Sequence, residues 1–387
     1  MDCCVCESEI QSPVYRSGQN TSITSLCQVL NITTTVYYCD RCGHIQTKGI
    51  ENVDVYYDEN YKLSNDSVEE DQLYAVVDGQ KIYRTEHQIN TLMNKVGIHQ
   101  KARVLDYGSA KGALLKGLRH KLPDIQIHLF DVTEEYLLFW EKLVSPEQWS
   151  TYKPKESWQG SFDLVTSFFV MEHIEDPKIF LRNIRNLLCD AGIFYCVVPN
   201  VYRNIADFVV VDHVNHFSES SLNYLFESCG FQIVEIDVRS HNNAIIIISK
   251  KSDKEWGFIP SPTMNNYASV VSLSKYWNDF SSKIMEFENR YSEHKVAIYG
   301  AGFYGTFIYS CLKFPERITC FVDQNPFLQG KELFGIAIVP PDRLPDSVDT
   351  VYVGLNPLAA ESIIKNIEAW SSREIHFFIE KTGVPML

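Results

Sequence analysis

The sequence of 387 residues lacks the features that would place it in or across a membrane. None of its apolar runs, such as Ala244 to Ile248, approaches the roughly 20 residues that a membrane-spanning helix needs. The first residues, Met1-Asp2-Cys3-Cys4, have neither the basic part nor the apolar part of a signal peptide. We therefore expect a soluble, cytoplasmic protein with no membrane partner.

The chain also has fewer basic residues than acidic ones. The chain has 35 Lys and Arg against 49 Asp and Glu, which gives a formal net charge of −14. An acidic chain repels a phosphate backbone unless base is concentrated in one place, and no run of Lys or Arg does this. We therefore expect no nucleic-acid partner. The composition, 45% hydrophobic and 22% charged, is typical of globular proteins, and the length predicts two or three domains.

Cysteine is abundant and unevenly placed, because six of the 11 cysteines lie in the segment from Cys3 to Cys42. Cys3-x-x-Cys6 and Cys39-x-x-Cys42 are two half-sites whose four thiolates can hold one tetrahedral Zn²⁺. The spacing predicts a zinc ribbon with a structural role, although the linker from Cys6 to Cys39 is longer than in common ribbons. Cys4, Cys27 and the nearby His44 are further candidates for replacing a ligand, or else they pack in the interior.

A redox pair is the competing interpretation of the cysteine spacing. It fits less well, because a thioredoxin-like Cys-x-x-Cys follows a strand in a βαβ unit and no strand is predicted before Cys3.

A glycine turn in the middle of the chain predicts a nucleotide-binding unit. The segment Arg103 to Gly112, RVLDYGSAKG, is followed by apolar positions at helical spacing, which indicates a strand, a tight turn and a helix. A second strand, Ile125 to Phe130, ends at Asp131, about 20 residues beyond the turn. An acid at this position can accept both hydroxyls of a ribose.

The elements predicted downstream continue the same unit. A strand around Phe162 to Phe168 is followed by Glu172-His173-Ile174, and a further strand covers Ile193 to Val198. A helix capped by Ser218 then leads to Gly230 and to two final strands, Gln232 to Val238 and Ala244 to Ser249.

A second glycine turn lies near the C-terminus, after a polar linker and a helix predicted from about Tyr267 to Tyr291. Gly300 to Gly305 reads GAGFYG, a full Gly-x-Gly-x-x-Gly between the strands Lys295 to Tyr299 and Ile318 to Val322. Asp323 follows the second of these strands, as Asp131 follows its own. This turn could bind NAD or the nucleotide of a sugar, or its glycines could serve only the packing of a strand on a helix.

The first turn, Asp106-x-Gly108-x-Ala110-x-Gly112, resembles the Asp/Glu-x-Gly-x-Gly-x-Gly turn of class I S-adenosylmethionine-dependent methyltransferases. That resemblance implies a seven-stranded Rossmann-like sheet with an antiparallel last strand, and S-adenosylmethionine as cofactor. It assigns the amino-acid end of the cofactor to Asp106, close backbone approach to the glycines, and the ribose to Asp131. The full set of cofactor-binding residues that it implies is Asp106, Gly108, Ser109, Ala110, Gly112, Asp131 and Phe168.

A cysteine ribbon, this domain and a C-terminal Rossmann-like domain, in that order, resemble the sugar C-methyltransferase family that acts on nucleotide-linked ketosugars. The resemblance divides the chain into a zinc-binding domain (1–75), a methyltransferase domain (76–253), and a helical linker with a second Rossmann-like domain (254–387). Its motifs include Cys39 to His44, Glu172-His173-Ile174, Asp212 to Phe217 and Val322 to Pro326. It implies a nucleotide sugar as the small-molecule substrate. The oligomeric state is left open.

The same resemblance carries proton chemistry onto Asp212, His213, His173 and one of Tyr57 or Tyr61. Methylation on carbon requires loss of a proton next to a ketone, with a base such as His213 and a donor such as His173 or a tyrosine for the enolate oxygen. Local roles are the competing interpretation, with His173 capping a helix and Asp212 pairing with a surface base. Val210 and Val211 replace the family's Tyr-His, and His216 replaces its Tyr.

Three other functions remain open at this point. An O- or N-methyltransferase for a sugar or another polar metabolite carries a similar His-x-x-His-Phe-Ser run. An NAD-dependent sugar oxidoreductase would use the turn at Gly300, but no Tyr-x-x-x-Lys or catalytic Cys accompanies that turn. A non-catalytic component of polysaccharide synthesis is the third.

Overall fold

The structure is a computed structural model that describes residues 1–18, 20–50, 71–77, 80–253 and 264–381. Its strands, in chain order, are β1 (Pro13–Arg16), β2 (Ser22–Ile23), β3 (Val29–Leu30), β4 (Thr35–Tyr38), β5 (Ile45–Thr47), β6 (Leu73–Val77), β7 (Gln80–Tyr83), β8 (Arg103–Tyr107), β9 (Gln126–Asp131), β10 (Trp149–Thr151), β11 (Phe162–Phe168), β12 (Leu188–Pro199), β13 (Asn215–His216), β14 (Phe231–Asp237), β15 (Ala244–Lys251), β16 (Val296–Tyr299), β17 (Ile318–Val322), β18 (Glu332–Leu333), β19 (Ile336–Val339), β20 (Thr350–Val353) and β21 (His376–Phe378).

The helices of the described residues are α1 (Arg84–Lys95), α2 (Ala113–Lys121), α3 (Leu137–Trp140), α4 (Pro177–Leu187), α5 (Glu219–Ser228), α6 (Met264–Arg290), α7 (Phe303–Cys311) and α8 (Pro357–Lys365). Within those residues, no helix combines the length and the apolar character needed to cross a bilayer.

The chain divides into two compact units, each assembled from three stretches of sequence. The first unit contains 1–11, 38–201 and 214–263, and the second contains 12–37, 202–213 and 264–387. These units do not coincide with the predicted segments 1–75, 76–253 and 254–387.

Packing within the second unit explains why early segments belong to it. The Ser274 hydroxyl on α6 donates to the carbonyl of Val14 at 2.7 Å. The Trp277 indole on the same helix donates to the carbonyl of Ile205 at 2.9 Å. Helix α6 therefore holds both 12–37 and 202–213.

A seven-stranded sheet in the order β10-β9-β8-β11-β12-β15-β14 forms the centre of the first unit. Strands β10, β9, β8, β11 and β12 are parallel, and β15 runs antiparallel between β12 and β14. The internal position of β15, between two other strands, suits its run of four isoleucines, because β-branched side chains fill both faces of a buried strand. The predicted mixed α/β sheet with an antiparallel β15 is confirmed.

Helices cover both faces of this sheet. On one face, Ile89 and Leu92 of α1 and Leu115 and Leu118 of α2 pack in the core cluster that contains Val104. On the other face, Phe180 of α4 and Phe226 of α5 lie near Phe194 of β12. Each fully buried large apolar side chain contributes roughly 1.5–3 kcal/mol relative to exposure, so the two helical layers stabilise the sheet.

Two helix starts of the first unit follow local capping, and that of α5 was predicted. The Asp176 side chain accepts from the backbone N–H of Ile179, with Pro177 at the first helical position of α4. Ser218 forms a capping box with Ser221 at the start of α5, as the sequence predicted.

A six-stranded sheet in the order β18-β19-β17-β16-β20-β21 forms the centre of the second unit. Strands β19, β17, β16, β20 and β21 are parallel, and β18 pairs antiparallel to β19. The observed β17 has the predicted bounds, Ile318–Val322.

Candidate functional site

The first glycine turn begins at Asp106, a buried residue on β8. Its carboxylate accepts a hydrogen bond from the Thr166 hydroxyl of β11 at 2.7 Å. Burial raises the pKa of Asp106 to about 7. The structure therefore places a carboxyl group that can be protonated or ionised near neutral pH at the carboxyl end of β8. Doubly wound sheets bind their ligands at this end of their strands.

The turn itself is held against the end of β9. The backbone N–H groups of Gly108 and Ser109 both donate to the carbonyl of Phe130, at 2.8 and 2.9 Å. Gly108 has a φ of 88°, and a Cβ placed on it would lie 2.2 Å from Cγ2 of Val170. A glycine is required here, both for the left-handed backbone and for the close approach.

Asp131 is hydrogen-bonded to this turn. Its Oδ2 accepts from the N–H of Ala110 at 2.8 Å, and its Oδ1 accepts from the N–H of Val132 at 2.8 Å. Burial raises the pKa of Asp131 to about 6. Since a carboxylate offers about four acceptor positions, two N–H bonds leave capacity for the two hydroxyls of a ribose.

Ala110 stands where the resemblance leads one to expect glycine, and it adopts the left-handed conformation with a φ of 43°. Its carbonyl accepts from the Trp140 indole N–H at 2.7 Å, and its own N–H is bound to Asp131. Gly112, with a φ of 74°, then caps α2. Hydrogen bonds on both sides of Ala110 thus offset the strain of a non-glycine residue in this conformation.

The remaining predicted residues of the first unit follow β11. Phe168 ends that strand, and its ring lies 5.5 Å from that of Tyr195 at the edge of the core. Glu172 and His173 belong to a short 3₁₀ turn, Met171–His173, with Glu172 buried and His173 half-buried. Tyr57 and Tyr61 lie outside the described residues.

His213 and Asp212 lie in the second unit and have different partners. Nδ1 of His213 lies 2.5 Å from Oδ1 of Asp207, which is completely buried. The Asp212 carboxylate accepts instead from the N–H and the hydroxyl of Ser25, at 2.7 and 2.6 Å. The carboxylate that orients His213 is therefore Asp207, which lies earlier in the same loop.

Four buried cysteines meet in the first unit, as their spacing predicted. The Sγ atoms of Cys3, Cys6, Cys39 and Cys42 all lie within 4.8 Å of one another. Cys3 and Cys42 are 3.6 Å apart at sulfur, Cys6 and Cys39 are 3.4 Å apart, and none of the four is in a disulfide. Tetrahedral Zn²⁺ with Zn–S bonds of about 2.3 Å separates its sulfurs by about 3.8 Å, so the cluster has the dimensions of a Zn²⁺ site.

Two turns of the same geometry supply these sulfurs. The N–H of Glu7 donates to the carbonyl of Cys3, and the N–H of Gly43 donates to the carbonyl of Cys39, both at 2.8 Å. Glu7 and Gly43 follow the second cysteine of their pairs and have φ values of 60° and 72°. The same turn therefore supplies both pairs of sulfurs, and a cation bound between them would offset the mutual repulsion of four thiolates.

The other sulfur and imidazole candidates have separate environments. Cys4 Sγ lies 3.3 Å from Nε2 of His44, and that nitrogen lies 3.0 Å from Oδ1 of Asn215. Burial lowers the pKa of His44 to about 3, so its ring is neutral. Cys27 lies in the second unit.

The second glycine turn repeats the acid-to-turn contact of the first. The N–H of Ala301 donates to Oδ2 of Asp323 at 2.9 Å, as Ala110 does to Asp131. A Cβ on Gly305 would lie 1.9 Å from the carbonyl oxygen of Gly300, and a Cβ on Gly300 would lie 2.3 Å from that of Gly354. Close packing of β16, α7 and β20 therefore accounts for these glycines without a ligand.

Residues 78–236 match a family model described as "Methyltransferase domain". The matched stretch contains the first glycine turn, Asp106 and Asp131. The protein is a methyltransferase.

Solved structures similar to parts of this chain include three methyltransferase systems. A chain from the complex of the Haloferax volcanii Trm112 methyltransferase activator with a methyltransferase is 17% identical, with a TM-score of 0.37 over 43% of this chain and 89% of that chain. An S-adenosylmethionine-dependent methyltransferase from Mesorhizobium loti is 14% identical, with a TM-score of 0.35 over 43% and 98%. Human N-acetylserotonin methyltransferase in complex with SAM is 14% identical, with a TM-score of 0.36 over 43% and 53%. No curated protein matches the sequence of this chain.

Three residues of this methyltransferase were not predicted from the sequence, although the structure places them beside predicted site residues or between predicted strands. Thr166 is a mid-strand residue that binds Asp106, and Asp207 orients His213. His241 lies in the turn between β14 and β15, in the polar run Ser240-His241-Asn242-Asn243 between two predicted strands. Only His241 had a sequence signal, because a histidine in a hairpin turn at the edge of a nucleotide-binding sheet is a candidate for ligand contact.

Proposed function

We propose that this protein is an S-adenosylmethionine-dependent methyltransferase that acts on a nucleotide-linked ketosugar and transfers the methyl group to carbon. The observation that carries the cofactor part is the Asp131 carboxylate, which is held by the N–H of Ala110 at the end of β9 with acceptor capacity left over. The order of cysteine cluster, glycine turn and second glycine turn, which resembles the sugar C-methyltransferases, supports the acceptor part.

The residues of the first turn fit the cofactor's chemistry. S-adenosylmethionine carries two ribose hydroxyls, an ammonium group and a sulfonium, and when bound it supplies an electrophilic methyl group. Asp131 would accept from the hydroxyls, and Asp106 would pair with the ammonium group. The protein's contribution to transfer is to hold the acceptor atom in line with the methyl group and to accept its proton.

His213 is the proposed proton acceptor. Nδ1 of His213 is hydrogen-bonded to Asp207, so the proton lost by the methyl acceptor passes to Nε2. The buried Asp207 carboxylate stabilises the imidazolium that forms. His173 or a tyrosine is the proposed donor to the enolate oxygen. Transfer to an oxygen or nitrogen atom of the sugar is the second candidate, since the same histidine could deprotonate a hydroxyl.

Incubation with labelled S-adenosylmethionine and a panel of UDP- and dTDP-linked ketosugars tests the function. Mass spectrometry with fragmentation shows whether the added methyl group is on carbon or on a heteroatom. The corresponding non-keto nucleotide sugars serve as controls and should remain unlabelled if an enolate is formed. Binding of S-adenosylhomocysteine without labelling of any sugar in the panel would contradict the acceptor class but not the cofactor.

The role of His213 is tested by His213→Ala, with the exposed His120→Ala as the matched control. His213→Ala should bind S-adenosylhomocysteine normally and lose about 100- to 10,000-fold in turnover, while His120→Ala should match the wild type. For a carbon acceptor, wild-type protein with S-adenosylhomocysteine should also exchange the sugar's α-proton with deuterated water, and the variant should not. Near wild-type turnover in His213→Ala would make His173 the next residue to test.

We also propose that the four-cysteine cluster holds one structural Zn²⁺. The support is the convergence of four unbridged sulfurs from two equivalent turns. Its role is to hold 1–11 and 38–47 together, since a segment of this size has little core of its own.

A further inference from the structure

The turn between β14 and β15 lies at the ligand-binding edge of the first sheet. Ala244, at the start of β15, pairs with Pro199, at the end of β12, so the turn lies beside the carboxyl end of the parallel strands. The N–H of Asn200 donates to the carbonyl of Asn243 in this turn at 2.9 Å. Strand order reverses between β8 and β11, and this turn is on the opposite side of that point from Asp131. A second ligand, next to the cofactor, would lie on this side.

His241 occupies this turn within a cluster of rings. It is 5% exposed, and its ring centre lies 5.1 Å from that of Tyr74, 5.3 Å from that of His87 and 5.6 Å from that of Phe169. Tyr74 comes from β6, His87 from α1, and Phe169 directly follows β11. We call these four residues the aromatic cluster.

The hydrogen bonds of His241 define its tautomer. Nδ1 lies 2.9 Å from the carbonyl oxygen of Asn242, which can only accept, so Nδ1 carries the proton. Nε2 therefore presents a lone pair. That atom is buried and has no hydrogen-bond partner among the described residues.

His241 stays neutral at physiological pH. Burial lowers its pKa to about 4, and the nearby positive charge of Arg84 and the ring of His87 act in the same direction. A neutral buried acceptor without a donor is unfavourable, and a ligand that supplies an O–H or N–H group removes that penalty.

We propose that Nε2 of His241 accepts a hydrogen bond from an O–H or N–H group of the methyl acceptor, in a subsite formed by the aromatic cluster. The proposal rests on the proposed function, because it requires an acceptor substrate beside the cofactor at this edge. His241 binds and selects the substrate. The proton that the methyl acceptor loses goes to His213, the proposed base. A sugar ring suits this subsite, since it can stack on Tyr74 or Phe169 and offer a hydroxyl to Nε2.

Tyr74 is one of the rings that surround His241. Its hydroxyl accepts from the N–H of Asn242 at 2.6 Å, and its ring stacks on His87 with centres 3.9 Å apart. The guanidinium of Arg84 lies 4.0 Å from the centre of the Phe169 ring and adds positive charge, which suits the diphosphate of a nucleotide sugar. Because Nε2 is buried, a ligand that reaches it displaces a ring of the aromatic cluster.

The test observes Nε2 directly by ¹⁵N NMR of histidine-labelled protein, with and without S-adenosylhomocysteine. The probes are phenol, a small ring with one O–H donor, and the UDP- and dTDP-linked ketosugars. Before addition, Nε2 should carry no proton, and at least one probe should shift its resonance. His241→Phe, which keeps a ring but removes the acceptor, should bind that probe roughly 10-fold more weakly. His241→Gln places an amide oxygen near the same point and should retain most of the affinity.

The controls separate this proposal from the proposed function. His120→Phe, on the exposed end of α2, should bind both probe and S-adenosylhomocysteine as the wild type does. His241→Phe should bind S-adenosylhomocysteine within about twofold of the wild type, which also shows that it folds. A protonated Nε2, no shift with any probe, or equal probe affinity in His241→Phe would overturn the subsite. Wild-type protein that fails to bind S-adenosylhomocysteine would contradict the proposed function. The phenol titration of the protein without S-adenosylhomocysteine would still test the His241 subsite.

Discussion

Asp131 and Asp323 make the same contact in the two sheets. Each ends or follows the strand that comes after its glycine turn, β9 or β17, and accepts from the N–H of an alanine in that turn, at 2.8 and 2.9 Å. Burial raises the pKa of both carboxyls. The contact with the turn is therefore common to both acids, and the first turn differs from the second in having another buried carboxyl, that of Asp106. We expect only Asp131 to bind a ligand, and Asp323 only to fasten its turn.

Asp131→Asn and Asp323→Asn form a matched pair that makes this distinction. Asp131→Asn should weaken the binding of S-adenosylmethionine by about 1.5 to 3 kcal/mol, the size of hydrogen bonds to a charged group. Asp323→Asn should leave the affinity unchanged, and isothermal titration calorimetry measures both. Equal losses in the two variants, or none in Asp131→Asn, would contradict the assignment of the ribose to Asp131.

Gly108 tests the close approach of the turn to β11. Gly108→Ala should lower the free energy of unfolding by more than the roughly 1–2 kcal/mol of left-handed strain, because the new Cβ would meet Val170 at 2.2 Å. Gly160→Ala is the control, since its φ is 63° and nothing lies within 4 Å of its Cβ position. Chemical denaturation measures both. Adding Val170→Ala should restore part of the loss in Gly108→Ala, and equal losses in the two single variants would show that the contact is unimportant.

At the scale of elements, the two cysteine turns act as one unit. Each turn places two sulfurs and ends in a residue with positive φ, Glu7 in one and Gly43 in the other. Strand β5 pairs with β13, which brings Asn215 and His216 alongside Gln46 and Ile45. A metal at the cluster would therefore also stabilise the position of β5 and of the strand paired with it.

Elemental analysis of protein prepared without added metal should find about one Zn per chain. Cys39→Ser should abolish it and lower the free energy of unfolding, because three remaining ligands hold the metal weakly. Cys229→Ser is the control, since Cys229 lies at the end of α5 with its sulfur near the carbonyl of Lys178. Well-folded protein without metal would refute the zinc proposal.

At the scale of the whole molecule, the excess of acidic groups includes two carboxyls at the first glycine turn, where they favour a cofactor that carries positive charge. The net charge is −14, and the two carboxyls at the first turn, the buried Asp106 and the half-buried Asp131, have pKa values raised to about 7 and about 6. These groups are partly protonated in the unliganded protein below neutral pH. S-adenosylmethionine, with its ammonium group paired to Asp106 and its ribose hydroxyls donating to Asp131, should bind best when both carboxyls are ionised.

The affinity for S-adenosylmethionine should therefore rise as the pH increases from 5 to 7.5. The sign follows from linkage: the free protein holds protons on these carboxyls that the complex must release, so lower pH opposes binding. Asp131→Asn should remove the part of this dependence near pH 6 and keep the part near pH 7. Calorimetry across this range measures the effect, and a constant affinity would show that the two carboxyls are ionised throughout.

Several features of this protein follow from the sequence by itself, because they depend on neighbours along the chain. The spacing of Cys3, Cys6, Cys39 and Cys42 predicted a cluster that the structure contains. Strand β17 and the Ser218 cap are local patterns of β-branched residues and of capping side chains, and the structure has them where they were predicted. The antiparallel β15 was implied by the resemblance of the first turn to class I methyltransferases, and the structure has it.

Only the tertiary structure decided the partners of the chemical groups. Asp212 is adjacent to His213 in sequence, yet the imidazole of His213 is hydrogen-bonded to Asp207. The turn of the chain directs the Asp212 carboxylate to Ser25 instead. The placement of 12–37 in the second unit depends on packing against α6, which lies far later in the chain. The unpaired Nε2 of His241 exists because β6, α1 and the β11 loop close around one turn. Contacts between segments far apart in sequence leave no period or spacing in any one segment, so no pattern in the sequence could predict them.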